Sequence, residues 1–195
     1  MIDQADFFRV LNKHRAQAIV LPTMQASIPW QEASERSELD LPVNNVMGKA
    51  SSVGLGVALA LPATRVIVLD GDGSLEMNLG SLITIAGKQP KNLYHIVMQN
   101  GIYGMTGGQP IPAAERVSFA MIAKGAGYAA TYEFDDLEDL TTRLGEALAH
   151  AGPVFVTVKV VPKPRTAASR GGAKPSPKVR STGAAIAAFR QRFAK

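Results

Sequence analysis

The chain has 195 residues, 46% hydrophobic and 6% aromatic, with a formal net charge of +5. That length suits one domain with a sizeable core, and the composition excludes a disordered chain. The charge is uneven: nine basic and no acidic residues lie between Lys163 and Lys195, leaving twelve basic against sixteen acidic before them, so nucleic-acid binding is not expected of the body.

The first element is an amphipathic helix over residues 2–14, with Ile2, Phe7, Val10 and Leu11 one or two turns apart. "QAIVL" (17–21) reads as a short buried strand. Residues 22–45, polar and carrying three prolines, read as a long loop with at most a short helix around Gln31–Leu39. "SSVGLGVALAL" (51–61) is a small-residue helix, and the glycines of "GLGVAL" within it serve close helix packing. "RVIVLD" (65–70) is a strand covered on both faces. A helix over 75–88, a strand over 92–100, helices near 117–126 and 136–149 and a last strand at 153–160 follow.

Strands separated by helical stretches predict an α/β fold: a doubly wound, mainly parallel sheet with helices on both faces. Ligands of such sheets lie beyond the carboxyl ends of the strands. Two turns, Asp70–Ser74 and Gln99–Gly108, fall at that end. Residues 1–162 form the domain. Residues 163–183 are a basic Pro/Ser/Gly linker, and 184–195 a short helix with Ile186, Phe189 and Phe193 at helical spacing. The absence of cysteine excludes disulfides and thiolate metal sites and agrees with a cytoplasmic location. "MIDQADFFRVLNKHR" does not read as a signal peptide, and no apolar run reaches the roughly 18 residues of a membrane helix.

The turn Asp70-Gly71-Asp72-Gly73-Ser74 admits several chemistries. It fails as an EF-hand loop, because the sixth residue from Asp70 is Leu75 and the twelfth is Ser81. A tight β–α turn with an N-capping acid is the plainest alternative. The stretch "VIVLDGDGSL" also resembles the strand-end motif of haloacid-dehalogenase phosphatases, with Asp70 as nucleophile and Asp72 as general acid.

A second resemblance accounts for more of the chain. Gly71-Asp72-Gly73, twenty-five further residues and then Gln99-Asn100 resemble the G-D-G…N-N signature of thiamine diphosphate enzymes. A diphosphate is held through Mg²⁺, which takes six oxygen ligands in an octahedron. The resemblance makes Asp72 and Asn100 side-chain ligands and Ile102 a ligand through its carbonyl. Gly71, Gly73 and Ser74 would hold the diphosphate, with a helix N-terminus behind them. Met47-Gly48 stands twenty-five residues before Asp72, where the family places an apolar prop beneath the cofactor, and the Asn45 carbonyl would accept from its amino group. Tyr103, Gly104, Met105 and Thr106 would line the cofactor or substrate side, with Gln109 beyond them. Lys49 reads as a solvated helix-start lysine or as a cation near the substrate.

"MGKASSVGLGVALALP", "VIVLDGDGSLEMNLGSLITIAGKQPKNL" and "NGIYGMTGGQP" further resemble the β subunit of sulfopyruvate decarboxylase and the matching part of phosphonopyruvate decarboxylase. That resemblance implies a thiamine diphosphate- and Mg²⁺-dependent 2-oxo acid decarboxylase, or a carboligating lyase of the same family. It also implies a partner: a pyrimidine-binding α subunit supplying the activating glutamate, in a heterotetramer or larger assembly. This chain's own glutamates, such as Glu32, Glu35 and Glu38, sit in a loop whose place the sequence leaves open.

Overall fold

The computed structural model describes residues 1–44, 46–165 and 176–193. Five parallel strands form the central sheet: β1 (Ile19–Pro22), β2 (Val66–Gly71), β3 (Leu93–Gln99), β6 (Ala130–Phe134) and β7 (Val154–Lys159), in the order β1-β2-β3-β7-β6. A two-residue hairpin, β4 (Ile102–Tyr103) with β5 (Gln109–Pro110), stands apart from it.

Alternate residues of each strand feed two cores. On one face Val20, Ile67, Leu69, Ile96, Val156 and Val158 pack beneath α1 (Gln4–His14), α2 (Met24–Ala33) and α7 (Leu137–Ala149). On the other Ile19, Leu21, Val68, Val97 and Phe155 pack beneath α3 (Ala50–Ala60), α5 (Gly80–Lys88) and α6 (Phe119–Ala126). The expected doubly wound sheet is therefore the observed one. α8 (Thr182–Phe193) lies on the second core, with Ala185 1% exposed and Phe189 and Phe193 packed against it.

Gly54 sets how closely α3 approaches the sheet. A Cβ there would stand 2.2 Å from Val68 Cγ2, so only glycine lets helix and strand meet at this distance. Of the "GLGVAL" glycines expected to serve close packing, Gly54 does so, while a Cβ on Gly56 would meet nothing within 4 Å.

Three expectations need correction. Residues 22–45 are not a long loop, because α2 occupies Met24–Ala33 and a 3-10 turn Ser37–Leu39. Pro29 inside α2 removes the N–H that would serve the Gln25 carbonyl, and the Gln4 side chain donates to that carbonyl instead, at 3.4 Å. The helix expected over 75–88 is two, α4 (Asp72–Glu76) and α5. Between them Asn78 turns away from the helix path and donates through Nδ2 to the Gly48 carbonyl at 2.8 Å. The half-exposed strand β6 was not expected; its signal is the run Thr131-Tyr132-Glu133-Phe134 after the left-handed Gly127 cap.

A buried ion pair ties α1 to the turn after α2. Arg15 Nη1 lies 2.9 Å from Asp40 Oδ1, with both side chains at most 1% exposed. Burial pushes the arginine's pKa down and the carboxyl's up, each opposed by the other's charge. Trp30 Nε1 also donates to Asp40 at 3.0 Å, and Arg15 donates to Ser34 Oγ and the Ala18 carbonyl. Among the described residues, no helix is long and apolar enough to cross a membrane.

Candidate cofactor site

The carboxyl ends of β1, β2, β3 and β7 lie side by side, and a cavity of about 320 Å³ opens above them. β2 ends at Gly71, so Asp72 begins α4 at the cavity wall. Asp72 is 2% exposed. Oδ1 accepts from the Gly73 N–H at 2.8 Å, while Oδ2 accepts from the N–H groups of Asn100 (2.8 Å) and Gly101 (2.6 Å). Burial still pushes the Asp72 carboxyl up, against the lowering effect of these backbone donors. The anion is thus well oriented but short of positive charge.

Asn100, just past β3, has its amide held at both ends. Oδ1 accepts from the Ile102 N–H at 2.9 Å, and Nδ2 donates to Gln25 Oε1 at 3.0 Å. Gln25 Nε2 in turn donates to the Lys163 carbonyl at 2.9 Å. A backbone N–H can only donate and a carbonyl only accept, so the two ends dictate which way both amides point. Ile102 faces Pro110 across the hairpin, and proline has no N–H to offer its carbonyl.

The remaining wall is closely fitted. A Cβ on Gly73 would stand 2.6 Å from the Tyr103 ring, and one on Gly104 within 2.3 Å of the Gln25 amide. The Tyr103 hydroxyl lies against the Glu76 carboxylate; burial and the neighbouring Glu76 and Asp72 charges raise the tyrosine's pKa. Burial and the Asp72 charge raise that of Glu76. Met47 is half-buried on the cavity wall, and the next residue, Gly48, turns with φ +73°. The Gly48 N–H donates to Ser74 Oγ at 3.1 Å, joining the Met47 turn to the turn after β2.

The structure thus brings together Met47, Gly71, Asp72, Gly73, Ser74, Asn100, Ile102, Tyr103, Gly104, Met105 and Thr106 on one cavity. Gly48 braces that wall from behind without lining it. Asn45 lies outside the described residues. Gln109 is exposed and bonded to Thr106, off the cavity, and Lys49 is exposed at the N-cap of α3. Asp70 is 0% exposed and faces the core beside His95 Nε2, 3.4 Å away, where no substrate phosphate can reach it. Sequence reasoning missed Gln25, Glu76 and Lys163. Gln25 carried a usable signal, since "TMQ" follows the end of β1 just as the two recognised turns follow β2 and β3.

The donor set defines the chemistry available. Among the described residues no three His, Cys, Asp or Glu side chains gather to hold a metal. One carboxylate with an amide oxygen and a backbone carbonyl suits a hard divalent cation that keeps positive charge for an anionic ligand. The buried, charge-deficient Asp72 fits such an ion.

Residues 22–158 match the family model of the thiamine pyrophosphate enzyme C-terminal TPP-binding domain. The chain is 39% identical over 160 residues to phosphonopyruvate decarboxylase of Streptomyces hygroscopicus, covering 82% of this chain and 39% of that protein. It is 43% identical over 116 residues to sulfopyruvate decarboxylase subunit beta of Methanothermobacter thermautotrophicus, covering 60% of this chain and 59% of that one. The chain therefore spans less than two thirds of either relative. The fold is similar to that of benzoylformate decarboxylase from Polynucleobacter necessarius, with a TM-score of 0.70 at 20% identity, covering 84% of this chain and 34% of the other. On the family match and the two sequence relatives, this chain belongs to the thiamine pyrophosphate enzymes and carries their C-terminal TPP-binding domain.

Proposed function

We propose that this chain holds the diphosphate and metal ends of thiamine diphosphate for a 2-oxo acid decarboxylase, and that a partner subunit completes the site. Asp72 and Asn100 would bind Mg²⁺ through side-chain oxygens and Ile102 through its carbonyl. Gly71, Gly73 and Ser74 would hold the diphosphate at the start of α4. Met47 would support the cofactor from below, with Asn45 beside it, while Tyr103, Gly104, Met105 and Thr106 close the wall. The cofactor supplies an electron sink for cleaving the bond between a carboxylate and a ketone carbon. This chain's residues bind, orient and exclude water.

One observation carries the division of labour: among the described residues, Asp72 is the single acid lining the cavity. It already accepts three backbone N–H bonds, so it cannot also serve as the proton-relaying acid of the pyrimidine ring. Glu32, Glu35 and Glu38 are exposed and off the cavity wall, and Glu32 binds Ser176. The activating glutamate would then come from a pyrimidine-binding α subunit, in an α₂β₂ or larger assembly. A relative named as a β subunit supports that reading.

Reconstitution tests it. The full chain and a candidate α subunit, with thiamine diphosphate and Mg²⁺, should release carbon dioxide and aldehyde from sulfopyruvate, phosphonopyruvate or a simpler 2-oxo acid. Neither chain should do so alone. Turnover by this chain alone contradicts the shared site.

A further inference from the structure

Beyond β7 the chain stays on the rim of the cofactor cavity, whose wall includes Val160, Val161 and Lys163. This stretch lies after residue 158, where the family match ends. At its near end the Val160 N–H donates to the Gln99 carbonyl at 2.9 Å, and the Val161 N–H to the Ile2 carbonyl at 3.0 Å. Lys163 Nζ then pairs with Asp3 Oδ2 at 2.5 Å. At its far end the Arg165 N–H donates to the Gly104 carbonyl, in the loop of the β4–β5 hairpin, at 2.7 Å. Pro164 fills the space beside Gly108, where a Cβ would come within 2.9 Å of it. Residues 160–165 therefore form a strap from the start of α1 to the hairpin. Residues 161–165 are all exposed, so few buried contacts hold the strap, and it can open without unfolding the domain.

Gln25 lies between this strap and Asn100. Its Nε2 donates to the Lys163 carbonyl at 2.9 Å, and its Oε1 accepts from Asn100 Nδ2 at 3.0 Å. Gly104, which the strap clasps, passes so close that a Cβ would stand 2.3 Å from the Gln25 amide. The Lys163 carbonyl can only accept, so it draws Nε2 and turns Oε1 toward Asn100. Asn100 must then offer Nδ2 to Gln25, which leaves its Oδ1 to accept from the Ile102 N–H at 2.9 Å. With the strap open, Nε2 has lost its acceptor and the Gln25 amide is free to turn over. Two NH₂ groups would then face each other unless Asn100 turned its oxygen away from Ile102.

We propose that the strap positions the metal ligand Asn100 through Gln25, so that strap closure and Mg²⁺ binding reinforce each other. The proposal rests on the reading of Asn100 as a metal ligand. Asp3 and Arg165 are positioning residues in it: both hold the strap, and neither lines the cofactor cavity. Linkage makes the effect reciprocal. The factor by which a closed strap tightens the metal is also the factor by which the metal closes the strap.

Hydrogen exchange of the full chain reads the strap directly, at the Arg165 N–H. Saturating Mg²⁺ and thiamine diphosphate should slow its exchange by about fivefold or more, the low end of ordinary coupling. In Gln25→Leu they should leave it unchanged. From the other end, Arg165→Pro deletes the N–H that clasps Gly104. It should weaken Mg²⁺ binding, titrated in the presence of thiamine diphosphate, by about the same factor. The thermal midpoint should stay where it is, and the substitution should have no further effect on metal binding in Gln25→Leu. Asp3→Asn keeps the cap of α1 and removes only the ion pair. It should weaken Mg²⁺ binding about twofold, and only at low salt. Should Arg165→Pro fail to fold, Asp3→Asn and the exchange measurement decide. Unchanged Arg165 exchange in a chain that binds metal and cofactor overturns the inference and leaves the cofactor reading standing. So does a slowing of exchange, or a loss of metal affinity, that is the same without Gln25. A chain that binds neither Mg²⁺ nor thiamine diphosphate overturns the cofactor reading and this inference with it, whereas faster Arg165 exchange in Asp3→Asn would still show the strap.

Discussion

The Asn100 N–H donates to Asp72 Oδ2 at 2.8 Å, so the end of β3 holds in place the carboxylate that begins α4. With Gly101 on the same oxygen and Gly73 on the other, the carboxylate has backbone donors on both sides. Asp72→Asn therefore cannot be conservative. Whichever way the new amide turns, its NH₂ group meets an N–H donor. Urea denaturation should show a loss of about 1–3 kcal/mol, the cost of leaving buried donors unserved. Mg²⁺-dependent binding of thiamine diphosphate should weaken by about 100-fold or more, since even outer partners of a metal ligand cost 10–100-fold.

Gln25 touches no predicted ligand atom except through Asn100, and acts by orienting that amide. Gln25→Leu removes the acceptor for Asn100 Nδ2 and frees the side chain to rotate away from the cavity. Mg²⁺ affinity in the presence of thiamine diphosphate should fall by about tenfold, with kcat of the reconstituted complex little changed at saturating metal. Gln25→Glu keeps an acceptor for Asn100 while losing the donor to the Lys163 carbonyl, and should lie between the two. Equal metal affinity in all three chains would assign Gln25 a packing role alone.

Much of this site was legible in the sequence, for a physical reason. The sheet's strands are continuous apolar runs because both faces are covered, and the turns after β2 and β3 stand out against them. The two turns were visible on that account, while Asp72, Asn100 and Met47 were singled out by the resemblance to the thiamine diphosphate signature. Gln25 was hidden because three prolines between residues 22 and 45 argue against a helix. The compensation for Pro29 comes from Gln4, twenty-five residues earlier in the chain. β6 escaped because it is only five residues long, although Ala130, Tyr132 and Phe134 alternate with Thr131 and Glu133.

Gly54→Ala places a Cβ against Val68 at 2.2 Å. In an exposed helix the change would stabilise by about 1 kcal/mol, but here overpacking should cost about 1–3 kcal/mol. Val68→Ala in the same chain should recover part of the loss. A double-mutant cycle by chemical denaturation measures the coupling, which is absent if helix and strand simply move apart.

Arg15→Met leaves Asp40 buried without its counter-charge and should cost about 3–5 kcal/mol at neutral pH. The pH dependence has a defined sign. Burial holds the folded-state pKa of Asp40 above its ordinary value, and losing Arg15 removes the charge that opposes this. The folded variant then takes up a proton at a pH where the unfolded chain is still ionised, so its stability rises as pH falls into that window. Denaturation midpoints of variant and wild type should converge on acidification. A constant gap would mean that Arg15 acts through packing on Trp30 instead.

The most direct measurement is isothermal titration of thiamine diphosphate into the full chain, with Mg²⁺ and with EDTA, for wild type and Asp72→Ala. Binding that requires Mg²⁺, disappears in Asp72→Ala and tightens when a pyrimidine-binding subunit is added is the expected result. Binding that is indifferent to EDTA and to Asp72, or no binding with or without the partner, would contradict the assignment of this cavity to the cofactor.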